Sequence, residues 1–128
     1  MSLLAPVSWG ELIDKITILE IKAARIADPA KLANVRRELQ ALTAVRDGQA
    51  VDLAPVAPLA AELRQVNTAL WDIEDKIREC EALGDFSAAF VALARSVYQT
   101  NDRRAELKRR INTLLGSELV EEKSYRGG

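Results

Sequence analysis

Apolar residues recur along this chain at steps of three and four, and strand-like alternation covers no comparable length, so the pattern predicts helices and no sheet. The clearest stripe is Leu59, Leu63, Val66, Leu70, Ile73, Ile77 and Cys80, stepping 4, 3, 4, 3, 4, 3. A second follows the same alternation through Phe86, Phe90, Leu93, Val97, Thr100, Arg104, Leu107, Ile111 and Leu114. Only Gly84 and Asp85 separate the two. The spacing therefore predicts two rods, each about 40 Å long, lying antiparallel with a seam of coiled-coil type. Counting outward from the turn brings Asn67 near Asn101 and Trp71 near Tyr98.

Punctuation sets the remaining bounds. Ser8 with Glu11 three positions on is a capping-box pattern opening a first helix over 9–27. Asp28 and Pro29 supply an N-cap and a first helical residue for a second helix over 29–47, which Gly48 ends. "GQAVDLAPVAP" is a loop, a third helix spans 58–83, and a fourth spans 86–115 with Asp85 as cap and Gly116 as stop. The expected fold is all-α and like a four-helix bundle: one domain over 1–128, two shorter N-terminal helices, a long helical hairpin, and a tail over 116–128.

The second helix is a plain amphipath with Leu32, Val35, Leu39 and Leu42 inward. The first carries one stripe, Leu12, Ile16, Leu19, Ala23 and Ile26, yet Ile18 and Ile21 point to nearly the opposite side at about 100° per residue. Either it is the central helix of the bundle, or its second face is covered by the tail or by another subunit. A homodimer through Ile18 and Ile21 is the favoured expectation. The tail "GSELVEEKSYRGG" keeps Leu119, Val120 and Tyr125 and is expected to dock over that same face, with a lid over a ligand as the other reading.

Composition narrows the chemistry. Histidine is absent, which removes imidazole-based nucleophilic catalysis, histidine-ligated zinc and haem, and Glu-x-x-His di-iron sites. Eighteen basic against nineteen acidic residues give no global field for nucleic acid or an anionic membrane. No apolar run approaches the roughly 20 residues of a membrane span, so a cytoplasmic protein without membrane insertion is expected. The single Cys80 sits on an apolar stripe and reads as a packed small hydrophobe. No metal site and no cofactor are expected.

The run "TNDRRAELKRRIN" fans its cations around the helix, so it makes no strip for a phosphate backbone. Arg104 alone falls within about 20° of the seam. A guanidinium there needs a carboxylate, carbonyls, water or an anion. Glu20, Glu38 or Glu74 are the expected structural partners. A small-anion pocket formed by Arg104, Thr100, Asn101 and Asn67, walled by Trp71 and Tyr98, is the functional alternative. "ELID" (Glu11, Asp14) and "DIED" (Asp72, Asp75) have the i, i+3 carboxylate spacing of magnesium-dependent nucleotide pyrophosphohydrolases, but Asp72 and Asp75 project away from the apolar centre. Surface pairs Glu11 with Lys15 and Asp72 with Lys76 are the plainer expectation. Trp9 reads as an apolar anchor at the helix entrance.

"GELIDKITILEIKAARI", "LWDIEDKIRECE", "LARSVYQTNDRRAELKRRIN" and "GSELVEEKSY" together resemble a family of small, uncharacterised bacterial proteins of about this length. The resemblance covers nearly the whole chain. Members are found at times beside sugar-transfer or lipopolysaccharide-synthesis proteins, which turns the small-ligand reading toward sugar phosphates or nucleotide sugars and carries over no catalytic residue. A looser similarity is to the helical chorismate mutases, whose first helix is much longer and carries other arginines. The leading expectation is a non-catalytic helical interaction or accessory protein; the rival is a binder of, or enzyme for, a small anionic ligand at Arg104.

Overall fold

The computed structural model describes residues 2–117 and residue 122. Four helices, α1 (Trp9–Arg25), α2 (Pro29–Asp47), α3 (Ala57–Leu83) and α4 (Ala88–Leu115), form an all-α bundle. A short 3-10 turn, Ala54–Val56, leads into α3, and there is no strand among the described residues. No described helix is long and apolar enough to cross a membrane.

Local chemistry sets most helix ends. Ser8 Oγ accepts the Glu11 N–H at 3.1 Å and opens α1. Asp28 precedes a proline, is held extended (φ −62°, ψ 119°) and accepts the Ala30 N–H at 3.3 Å. α1 ends at Arg25, short of the expected Ala27, because Ile26 already turns extended (φ −75°, ψ 129°). Gly84 and Gly116 both lie in the left-handed region, φ 65° and 62°, and release the chain from α3 and α4. After Gly84 the Asp85 carboxylate accepts the Ser87 N–H at 3.1 Å, so α4 begins at Ala88 rather than Phe86.

The hairpin of α3 and α4 forms the most extensive helix–helix interface, and α1 lies in its groove. α2 packs along α1, its backbone meeting no other helix. α1 is thus the middle layer. Leu12, Ile16 and Leu19 are buried along it, while Gly10, Asp14, Thr17 and Ile21 are the buried stripe that meets the hairpin. This explains its two faces without a second subunit: Ile21 is 4% exposed inside the chain, and Ile18 is half-buried. The expectation that the tail covers this face falls on residues outside the described set, apart from Glu122.

The core gathers at the closed end of the bundle, where Ile13, Leu59, Leu63, Leu107 and Ile111 pack with Val56. Val56 is 1% exposed although its segment reads as loop; the 3-10 turn tucks it under the bundle. Toward Gly84 the seam thins. Ile73, Ile77, Cys80, Phe90, Leu93 and Val97 are only half-buried, and Phe86 is exposed, because α1 has already ended beside Asp72.

Candidate functional site

Where α1 enters the hairpin groove, its first turn is capped from the other end of the chain. The Trp9 N–H donates to Ser117 Oγ at 3.1 Å and the Gly10 N–H to Asn112 Oδ1 at 2.7 Å. With Ser8 taking the Glu11 N–H, three donors that a helix start leaves open are all satisfied. The approach is close enough that a Cβ on Gly10 would lie 2.5 Å from the Lys108 carbonyl oxygen.

One and two turns back along α4 from Asn112, α1 and α4 are joined by two ion pairs. Lys108 Nζ lies 2.8 Å from Glu11 Oε2. Arg104 grips the Asp14 carboxylate with both arms of its fork, Nε to Oδ1 at 2.9 Å and Nη2 to Oδ2. The Asp14 side chain is 1% exposed and that of Arg104 29%. Asn67 on α3 donates from Nδ2 to Asp14 Oδ1 and to Thr17 Oγ1, both at 2.9 Å. Thr17 Oγ1 in turn donates to the Asp14 carbonyl at 2.7 Å. Among the described residues no buried side-chain polar atom lacks a partner. A fully satisfied network of this kind sets helix register and rotation.

Arg104 therefore has a carboxylate partner, but Asp14 rather than the expected Glu20, Glu38 or Glu74. Glu20 faces Arg64 at 3.8 Å and Glu38 faces Lys15 at 3.4 Å. Three of the four carboxylates in the acidic i, i+3 pairs, Glu11, Asp14 and Asp72, are likewise engaged across helices. Glu11 meets Lys108, not Lys15, and Asp72 meets Arg25, not Lys76, with the Arg25 guanidinium 5.9 Å from the Trp71 ring centre. Among the described residues no group of three metal-ligating side chains comes together.

Beside the Asp14–Arg104 pair, α1, α3 and α4 enclose a cleft of about 190 Å³. Asn67, Trp71, Asn101 and Arg104 all line it, as the seam register anticipates, together with Glu74 and the apolar Ile18, Ile21 and Leu70. Thr100 is half-buried and takes no part in its wall. Tyr98 is not paired with Trp71: it is 54% exposed and borders a separate depression with Val97, Asn101 and Asp102. Sequence reasoning missed Asp14 and Thr17 as members of this cluster. The available signal was their spacing with Gly10 and Ile21, a stripe too polar to register as one.

The cleft's chemistry is modest. It is smaller than the roughly 300–1,000 Å³ of ordinary small-molecule sites. Asp14 neutralises Arg104 and Glu74 adds a carboxylate to the rim, so no net positive charge awaits an anion.

No curated protein and no solved structure matches the chain. A family model matches residues 4–128, and the chain belongs to that family, described as Family of unknown function (DUF6165).

Proposed function

We propose that the protein is a non-catalytic helical interaction protein that associates through the end of its α3–α4 hairpin, with a second copy of the chain as partner. The observation that carries this reading is the exposure of Leu83, Phe86 and Val91, 82%, 59% and 50%, where the hairpin projects past the end of α1. Over the rest of its length the groove side of the same hairpin is occupied by α1. Two projecting ends related by a two-fold axis supply each other with the missing cover and close a four-helix bundle from one self-complementary patch. The contact lies away from Ile18 and Ile21, because Ile21 is already buried within the chain.

Light scattering across the micromolar range tests the reading. A dimer that becomes monomeric in Leu83→Glu and Phe86→Glu, with unchanged helical circular dichroism, supports it. A monomer at every concentration of the unmodified protein overturns it.

A second reading, a ligand held beside Arg104, rests on the shared cleft of Asn67, Trp71, Asn101 and Arg104. Its small volume and balanced charge favour a small polar ligand over a nucleotide sugar. Thermal shifts with a panel of sugar phosphates and uncharged sugars test it; no shift with either class rejects the site.

A further inference from the structure

We infer that a second cleft, between α2 and α3, binds a small organic carboxylate with an apolar body, an aromatic or branched-chain acid. This cleft measures about 270 Å³ and shares no lining residue with the one beside Arg104. It exists because α2 packs on α1 alone: α1 holds α2 and α3 apart, and their backbones do not meet. Small side chains keep the space open, since Ala60 and Ala61 of α3 stand on its wall where longer ones would fill it.

The lining divides into an apolar part and a charged part. Ile13 and Ile16 of α1 are buried residues that border the cleft and offer a ring or a branched chain an apolar surface. Thr17 beside them has already spent its one hydroxyl proton on the Asp14 carbonyl and accepts from Asn67. The charged part is Arg46 from α2 and Arg64 from α3, with Glu20 from α1, which leaves one positive charge in excess on the lining. Arg46 donates only through Nε, to the neighbouring Asp47, so its two terminal nitrogens have no acceptor among the described residues. Arg64 donates no side-chain hydrogen bond there either, and its Nη1 stands 3.8 Å from Glu20 Oε2, beyond hydrogen-bonding reach. Exposed contacts of this kind hold weakly, so both guanidinium forks are able to turn to a ligand.

That division selects the ligand. A carboxylate presents two coplanar oxygens, which match the guanidinium fork, and its other end is carbon, which suits Ile13 and Ile16. A phosphate or sulfate would turn further oxygens toward the isoleucines, where no donor meets them. At Arg104 the same chemistry is already satisfied from within the chain by Asp14, whereas here the acceptor has to come from outside. A ligand held by both arginines joins α2 to α3, two helices that otherwise meet only through α1, so binding should also slow hydrogen exchange along α2.

An NMR titration of the full chain with benzoate is the test, with benzamide and inorganic phosphate as comparisons. Benzoate should saturate below about 10 mM and move the methyl signals of Ile13 and Ile16. Benzamide, which keeps the ring without the charge, and phosphate, which keeps the charge without the ring, should each bind at least about tenfold more weakly. Arg46→Gln combined with Arg64→Gln should weaken benzoate by at least about tenfold, and Arg36→Gln combined with Arg37→Gln, elsewhere on α2, should leave it unchanged. Neither Arg46 nor Arg64 is buried, so the fold itself is not at risk. No saturation below about 10 mM, equal binding of benzamide or phosphate, or an affinity unmoved by the Arg46 and Arg64 changes overturns the inference. So do shifts confined to Trp71 and Asn101, which would seat the ligand in the other cleft. Because the hairpin end is untouched by these changes, the outcome is separable from that of the association test.

Discussion

Arg104 holds the carboxylate of Asp14 in a two-pronged grip, and Asp14 is 1% exposed, so the pair joins α4 to the central helix with the carboxylate shielded from water. Asp14 has a further donor in Asn67, which ties α3 to the same carboxylate. Three of the four helices thus meet on one side chain.

From the sequence, Arg104→Met reads as neutral or stabilising if the arginine is only structural, since an apolar replacement removes a desolvation cost. With Asp14 as partner the sign reverses, because methionine leaves a buried carboxylate with Asn67 alone. Urea unfolding should show a loss of about 3–5 kcal/mol for Arg104→Met. The double variant Asp14→Leu with Arg104→Met should recover most of it. A single variant as stable as the unmodified protein would contradict the pairing.

Gly10→Ala should destabilise by about 1–3 kcal/mol, because its Cβ meets the backbone of α4 rather than a side chain that can turn aside. Asn112→Leu should cost about 1–3 kcal/mol by a different route, leaving the Gly10 N–H without its acceptor. Thermal melts of the two variants and their combination check this, and the combined loss should be less than the sum because both act at one contact.

Leu63 and Leu83 lie on the same helix, at 0% and 82% exposure. In the unassociated chain, at protein concentrations too low for the proposed pairing, Leu63→Ala should lose about 2–5 kcal/mol of stability and Leu83→Ala less than about 0.5 kcal/mol. Denaturant midpoints measured side by side distinguish a uniformly packed hairpin, which would penalise both, from one whose far end is open.

The Asp85 carboxyl is held below the usual aspartate range, first by the Ser87 hydroxyl and then by the Ser87 N–H. A lowered folded-state value means that the turn's contribution is complete above the ordinary aspartate pKa of about 3.9 and is lost only as pH falls through the lower folded value. An NMR titration should place the Asp85 midpoint below about 3.9 and move it upward in Ser87→Ala. An unchanged midpoint in that variant would remove the hydroxyl as the cause.

Much of this architecture was legible in residue order because its signals are local. Gly84 and Gly116 end helices by a backbone conformation that other residues disfavour, Asp28 and Pro29 start one within two positions, and the stripes of α3 and α4 imply an antiparallel hairpin through a two-residue turn. The turn also fixes register, so Asn67, Trp71, Asn101 and Arg104 were expected at one level and line one cleft. Tyr98 departs from that expectation because it lies on the outer stripe of α4, where register alone says nothing of direction.

The alternation of apolar and polar side chains, with glycine and proline at the ends, was enough to specify four helices and the pairing of the last two, since those features depend on neighbours a turn away. How α1 is buried was a tertiary outcome. Its hairpin-facing stripe of Gly10, Asp14, Thr17 and Ile21 is half polar, and polar groups can be buried only where distant partners complete their hydrogen bonds. Those partners, Asn67, Arg104 and Asn112, lie 50 or more residues away and become neighbours only once the helices have packed.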